Sequence, residues 1–116
     1  TPKDNVLKDI VKKGKSLGAT FVKIAVKANH KDDLRDLIHF TIENRDVGLI
    51  TISLGSIGLA SRLINPLIGS LMTYGYIDTA TAPGQISAFD IVEHIRLLDP
   101  VYNDALIKRG KLPDAV

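Results

Sequence analysis

Short apolar runs rich in β-branched residues, separated by stretches of helical spacing, are what most restrict the fold of this chain. The runs cover residues 20–26, 48–54 and 70–76. Strands that alternate with helices predict a parallel sheet joined by right-handed crossovers. Residues 2–17 place Val6, Ile10, Val11 and Leu17 near helical period, with Lys12, Lys13 and Lys15 in the last turn and Gly18 as a stop. Residues 31–45 return to that period through Leu34, Leu37, Ile38, Thr41 and Ile42, and residues 57–68 through Leu59, Leu63, Ile64 and Leu67. A loop over 79–85 is centred on Pro83-Gly84. Ser87 and Asp90 then predict a capping box for a last helix facing inward through Phe89, Val92, Ile95 and Leu98. Asp99-Pro100 is expected to break it, leaving 99–116 as a C-terminal tail with the polar stretch Lys108-Arg-Gly-Lys111.

Two α/β architectures fit this order: an open doubly wound sheet, or an arc of a (β/α)8 barrel. A three-stranded parallel sheet exposes two unpaired edges, which suits an independent domain poorly. The opening Thr1-Pro2-Lys3-Asp4 reads as a helix start with Thr1 as N-cap and Pro2 in the first turn. A chain seldom begins on its own N-cap, and no initiator Met stands here, so further sequence is expected upstream. That sequence would close the barrel, and residues 1–98 are expected to be part of it.

Composition narrows the function. Fifteen Lys and Arg stand against 13 Asp and Glu, a net charge of +2, which argues against a nucleic-acid surface. The absence of cysteine excludes disulfides and thiolate metal sites. No apolar run approaches the roughly 18 residues that a membrane span needs, and no signal peptide is seen, so a cytoplasmic protein is expected.

Lys23 is the residue out of place. It lies inside an apolar strand between Val22 and Ile24, and strand alternation puts it with Ala25 on one face, opposite Val22, Ile24 and Val26. In a barrel the first face points to the interior. Desolvation disfavours the charged form of an amine, so a lysine held there is a candidate nucleophile. The alternative from pattern alone is an edge-strand lysine with its head in water.

Five segments occur in order: Phe21-Val-Lys-Ile-Ala-Val26, Ile50-Thr-Ile-Ser-Leu-Gly55, Gly58-Leu-Ala-Ser-Arg-Leu63, Gly69-Ser-Leu-Met-Thr-Tyr-Gly75 and Ala82-Pro-Gly-Gln-Ile-Ser87. Together, from Thr1 to about Leu98, they resemble the second part of type I 3-dehydroquinate dehydratase. The resemblance implies a (β/α)8 barrel that converts 3-dehydroquinate to 3-dehydroshikimate with loss of water, in the shikimate pathway of aromatic amino acid biosynthesis. It implies that the three strands here are barrel strands six, seven and eight.

The resemblance also assigns roles. Lys23 matches the lysine that forms a Schiff base with the substrate ketone. Arg62 matches the arginine that grips the substrate carboxylate, and Gln85 a residue that hydrogen-bonds the substrate. Thr81 stands where the family usually has Ser, and keeps the hydroxyl. Tyr74 takes an aromatic position lining the pocket. Ile52 and Leu54 replace residues that are often Met, and Lys27-Ala28 departs from the family's apolar-Pro or Met-Pro. Without the resemblance, Arg62 reads as a surface helix residue, Gln85 as a solvated loop amide and Tyr74 as packing.

The general acid and base of the family is a His just upstream of the Thr-Pro pair, outside this sequence, with a supporting carboxylate. His30 follows the lysine strand and is the substitute to weigh, whereas His39 and His94 read as surface residues. No metal or cofactor is implied, and Gly55-Ser-Ile-Gly58 is weak as a phosphate loop. The implied partners are a small organic acid, the upstream part of the barrel and, as in relatives, a second copy in a homodimer. The alternatives are another Schiff-base barrel lyase of the class I aldolase or transaldolase type, or a non-catalytic barrel fragment that needs a partner chain. A carboxylate clamp of Arg62 with Gln85 separates the dehydratase from the aldolases.

Overall fold

The computed structural model describes residues 2–81 and 84–110. Helix α1 (Asp4–Ser16) is capped by Lys3, and the expected cap Thr1 lies outside the described residues. Its buried row is Leu7 and Val11, while Val6 and Ile10 stay half exposed and Leu17 is 77% exposed. Both rows satisfy helical spacing, and the sheet beneath selects the first. Gly18, at φ 90°, ends the helix: Ala19 N–H reaches Gly14 O and Gly18 N–H reaches Lys15 O, the paired bonds of a Schellman motif.

Strand β1 (Val22–Lys27), helix α2 (Lys31–Glu43) and strand β2 (Leu49–Leu54) follow. The two strands pair in parallel with Lys23 opposite Ile50 and Ala25 opposite Ile52. On one face Ile24 and Leu49 pack with Leu7, Val11, Leu37 and Phe40 in a single buried cluster. Burying each of these side chains contributes about 1.5–3 kcal/mol. On the other face of β1, Lys23 and Ala25 are exposed. The turn into α2 is held by Asp33, whose carboxylate accepts from Asn29 N–H at 2.8 Å and His30 N–H at 3.1 Å.

The strand expected over 70–76 does not form. Among the described residues the sheet has two strands, and this segment makes one parallel bridge, Tyr76 with Ser87. The reason lies on the free edge of β2, where side chains occupy much of the ladder. Thr51 N–H donates to Ser70 Oγ at 3.0 Å and Ser53 N–H to Ser61 Oγ at 2.8 Å. Asn65 Nδ2 donates to Thr51 O at 3.1 Å, and Leu71 N–H supplies a backbone bond to Leu49 O at 2.8 Å. Buried backbone groups need partners of some kind, and here most are hydroxyls and an amide.

Helix α3 (Ser61–Ile68) is shorter than expected, with residues 57–60 forming a turn before it. Its buried residues are Ser61, Arg62 and Asn65, not the leucine row, because it is the polar row that meets the β2 edge. Pro66 inside the helix has no N–H, so the carbonyl of Arg62 loses its usual partner four residues on. Thr73 Oγ1 donates to that carbonyl at 2.7 Å, which ties the 70–76 segment to α3.

Helix α4 (Ala88–Leu98) begins as expected, with Ser87 Oγ accepting from Asp90 N–H at 3.0 Å. Its inward residues are Ile91 and Ile95; of the expected face Ile95 is buried and Val92 partly so, whereas Phe89 is 72% exposed and Leu98 61% exposed. Residues 99–108 are no polar tail. Asp99 ends α4 and caps a further helix, α5 (Pro100–Lys108), by accepting from Val101 and Tyr102 N–H. Arg96 Nε fixes the pair by donating to Asn103 Oδ1 at 2.7 Å. Lys111, the end of the predicted polar stretch, lies outside the described residues.

Candidate active site

The pleat of β1 sends Lys23 to the face opposite the helix-packed core, alongside Ile50 of β2. Its Nζ lies 4.5 Å from the centroid of the Tyr74 ring, within cation–π range. Two anchors in the residues just before Tyr74 hold it there: Leu71 N–H on Leu49 O, and the Thr73 hydroxyl on the carbonyl that Pro66 leaves unpaired.

Arg62 is the next link. Its Nη1 donates to Tyr74 O at 3.0 Å and its Nε to Gly84 O at 2.8 Å. The residue is only 7% exposed, and burial pushes its guanidinium below its ordinary value. A guanidinium remains charged across physiological pH even so. A buried cation that gives two bonds to neutral carbonyls is short of negative charge, which fits a site for an anion.

Gly84 is pinned from two directions. It has φ 82°, and a β-carbon on it would collide with Gly55 O, so the loop rests directly on the turn after β2. Gly58 makes the other half of that turn, where a β-carbon would collide with Ser53 O. Gly55, at φ 87°, and the close approach at Gly58 account for Gly55-Ser-Ile-Gly58 without a phosphate. Beyond Gly84, Gln85 Oε1 accepts from Thr81 N–H at 2.6 Å and is 3.1 Å from Thr81 Oγ1. Ala82 and Pro83, between them, lie outside the described residues.

The five residues singled out by sequence are therefore strung together: Lys23 on the Tyr74 ring, Tyr74 and Gly84 on Arg62, and Gln85 on Thr81. Arg62 is buried and bonded to backbone carbonyls, unlike the surface helix residue it would be without the resemblance, and Thr81 is bonded to Gln85. Ile52 is buried and Leu54 partly exposed at the end of β2. Sequence reasoning missed Thr73, although Pro66 four residues after Arg62 was the signal, since it orphans a carbonyl that something must satisfy.

The histidines stand elsewhere. His30 caps α2 and is engaged with Asp33, His39 lies in a groove with Asp4, Asp36 and Glu43 between α1 and α2, and His94 Nδ1 donates to Asp90 O at 2.6 Å. Among the described residues no three of His, Cys, Asp and Glu are grouped to hold a metal. An apolar groove of about 390 Å³ runs between α3, α4 and α5, lined by Pro66, Leu71, Met72, Ile91 and Tyr102. It contains none of the five site residues.

Parallel strands with helices on one face and a lysine on the other have the layout of an arc of a (β/α)8 barrel, and the solved structures similar to this chain place it there. Residues 1–100 match the family described as Type I 3-dehydroquinase, and the chain belongs to that family. The 3-dehydroquinate dehydratase of Thermodesulfovibrio yellowstonii is 35% identical over 98 residues, which is 84% of this chain and 43% of that protein. That of Methanocella arvoryzae is 37% identical over 98 residues, 84% of this chain and 44% of the other. The crystal structure of 3-dehydroquinate dehydratase from Geobacillus kaustophilus superposes with TM-score 0.80 at 30% identity, covering 86% of this chain and 40% of that one. The type I enzyme from Clostridium difficile, solved with covalently modified comenic acid, gives 0.79 at 31% identity, covering 87% and 41%. The chain thus spans about two-fifths of the length of these relatives.

Proposed function

We propose that this chain is the part of a 3-dehydroquinate dehydratase that carries the Schiff-base lysine and the carboxylate clamp. Lys23 Nζ attacks the substrate ketone, and loss of one water gives an iminium. The iminium draws electrons from the neighbouring carbon, whose proton is removed by a base. The hydroxyl beyond leaves as water, and hydrolysis of the iminium returns Lys23 and 3-dehydroshikimate. The net change is loss of one water.

The observation that carries this reading is the short path from amine to guanidinium. Lys23 touches the Tyr74 ring, and Arg62 holds the carbonyl of the same residue at 3.0 Å. An acid whose ketone meets Lys23 can therefore bring its carboxylate towards Arg62. Gln85, on the loop that Arg62 also holds, would add a hydrogen bond, and Tyr74 would form the wall between them. The relative solved with covalently modified comenic acid supports covalent capture of an acid within the family. The names of the relatives favour the dehydratase over the aldolase alternative.

The base is assigned, by resemblance, to a His that this chain does not contain. Turnover is proposed for the assembled barrel, in the cytoplasm, with a homodimer as its assembly; no described helix is long and apolar enough to cross a membrane. The test joins this chain to the N-terminal remainder of the Thermodesulfovibrio yellowstonii relative and follows the conjugated product by ultraviolet absorbance. Arg62→Ala is expected to lower kcat/KM by about a hundredfold or more, as expected for losing a buried charge partner. A change under about threefold would remove the clamp from the reading.

A further inference from the structure

We propose that Lys27 is a guiding charge for the anionic substrate: from the rim of the site, on the strand face of Lys23, it draws the organic acid in and speeds its capture. The inference rests on the site reading above and adds a residue to it. Strand alternation sets the geometry. Val22, Ile24 and Val26 pack with the apolar cluster, so Lys23, Ala25 and Lys27 share the other face, where all three are exposed. Four residues at about 3.3 Å each put the two lysine Cα atoms roughly 13 Å apart. Lys27 stands at the carboxyl end of β1, opposite Leu54. There the turn after β2 comes up beside it: a β-carbon on Gly55 would lie 4.0 Å from Lys27 Cγ. Gly84 rests on Gly55 O from the other side, and Arg62 Nε holds Gly84 O at 2.8 Å. The stem of Lys27 and the guanidinium of Arg62 thus flank one contact between two turns.

Strands β1 and β2 carry two lysines and no acidic residue, so the charge they present on the open face is of one sign. A positive charge about a Debye length from the reacting amine acts on the approach of a ligand, not on the bond-making step. The family resemblance leads one to expect an apolar residue or Met at position 27, which could line a wall but attracts no anion. A lysine differs there by its head alone, because its stem can cover the same surface while the ammonium stays in water. Arg62, buried and forked, is suited to gripping a carboxylate, and Lys27, exposed and flexible, to attracting one.

Salt dependence on the same joined barrel tests the charge itself. Lys27→Met is expected to lower kcat/KM for 3-dehydroquinate about fourfold at an ionic strength of about 0.02 M and to leave kcat unchanged, and the difference should vanish by about 0.5 M. Lys27→Glu should lose about fifteenfold at the lower salt and recover in the same way, while Lys27→Arg should match the natural lysine. An equal loss at both salts would overturn the proposal, because packing and not charge would then be at work. No loss at low salt, or a fall in kcat by the same factor as in kcat/KM, would overturn it too. Borohydride trapping keeps this inference apart from the site reading. If substrate is still reduced onto Lys23 in every variant while kcat/KM ignores the charge at position 27, the guidance fails and the Schiff-base reading stands. If Lys23 is not trapped even with Lys27 in place, the site reading fails and takes the guidance with it.

Discussion

Residues 4–54 and residues 55–108 are held together by different means. In the first region an apolar face of two helices meets an apolar face of two strands, and Leu7, Leu37, Phe40 and Leu49 are all but fully buried. In the second, the groups of α3 most deeply buried are Ser61, Arg62 and Asn65, and each is bonded to backbone of another segment. The first region is specified by hydrophobic period. The second is specified by which carbonyl or amide each polar side chain can reach, and that is where the candidate site lies.

Mutations can break or sharpen this contrast. The largest effect on stability is expected from Leu37→Ala, which empties a fully buried position in the apolar region and should cost about 2–5 kcal/mol in chemical denaturation. Asn65→Leu keeps the branched shape but removes two donors from Thr51, at 3.1 Å to its carbonyl and 3.0 Å to its hydroxyl. About 1–3 kcal/mol should be lost, since buried acceptors are left unpaired. If the leucine were neutral or stabilising, the polar edge would not be what orders the second region.

Thr73→Val should cost about 1 kcal/mol by unpairing the Arg62 carbonyl, and Thr73→Ser should cost less. The hydroxyl of Thr73 is bonded to Arg62 O, so a loss of Lys23 reactivity in the valine variant would report the tether that places Tyr74. The smallest effect belongs to the exposed start of α2. Asn29 N–H, then His30 N–H, hold the Asp33 carboxyl below the usual carboxylate range. A depressed carboxylate stabilises the fold above its unfolded value, near 3.9, and that contribution is lost as pH falls through the lower folded value. Asp33→Asn should therefore flatten the acid limb of the unfolding profile slightly and leave neutral pH almost unchanged.

The sequence reveals these two regions unequally. The parallel strands, the Lys23 face and the helix order can be read from alternation and spacing, because burial of apolar area decides them. The inward rows of α1 and α4 cannot, because Val6 and Leu7, or Phe89 and Ile91, satisfy the same period until a neighbour chooses between them. The strand expected at 70–76 fails for a further reason: Ser61, Asn65 and Ser70 satisfy the β2 edge with side chains, and no periodicity records that. Family resemblance brought Arg62, Tyr74, Thr81 and Gln85 forward, and geometry adds that Arg62 and Thr81 first serve their neighbours. Helix α5 lies almost wholly beyond the matched family segment, and the signal for it was Asp99-Pro100 read as a cap followed by a first-turn proline.

The central claim is that one amine on the open face of β1 is the nucleophile. Borohydride reduction of the joined barrel in the presence of 3-dehydroquinate, followed by peptide mapping, tests it directly, because Lys27 shares the strand, the exposure and the chemistry of Lys23. A single reduced adduct on Lys23, absent from Lys23→Ala, is the outcome the account requires. An adduct on Lys27, or dehydration that proceeds with no adduct at all, would contradict it.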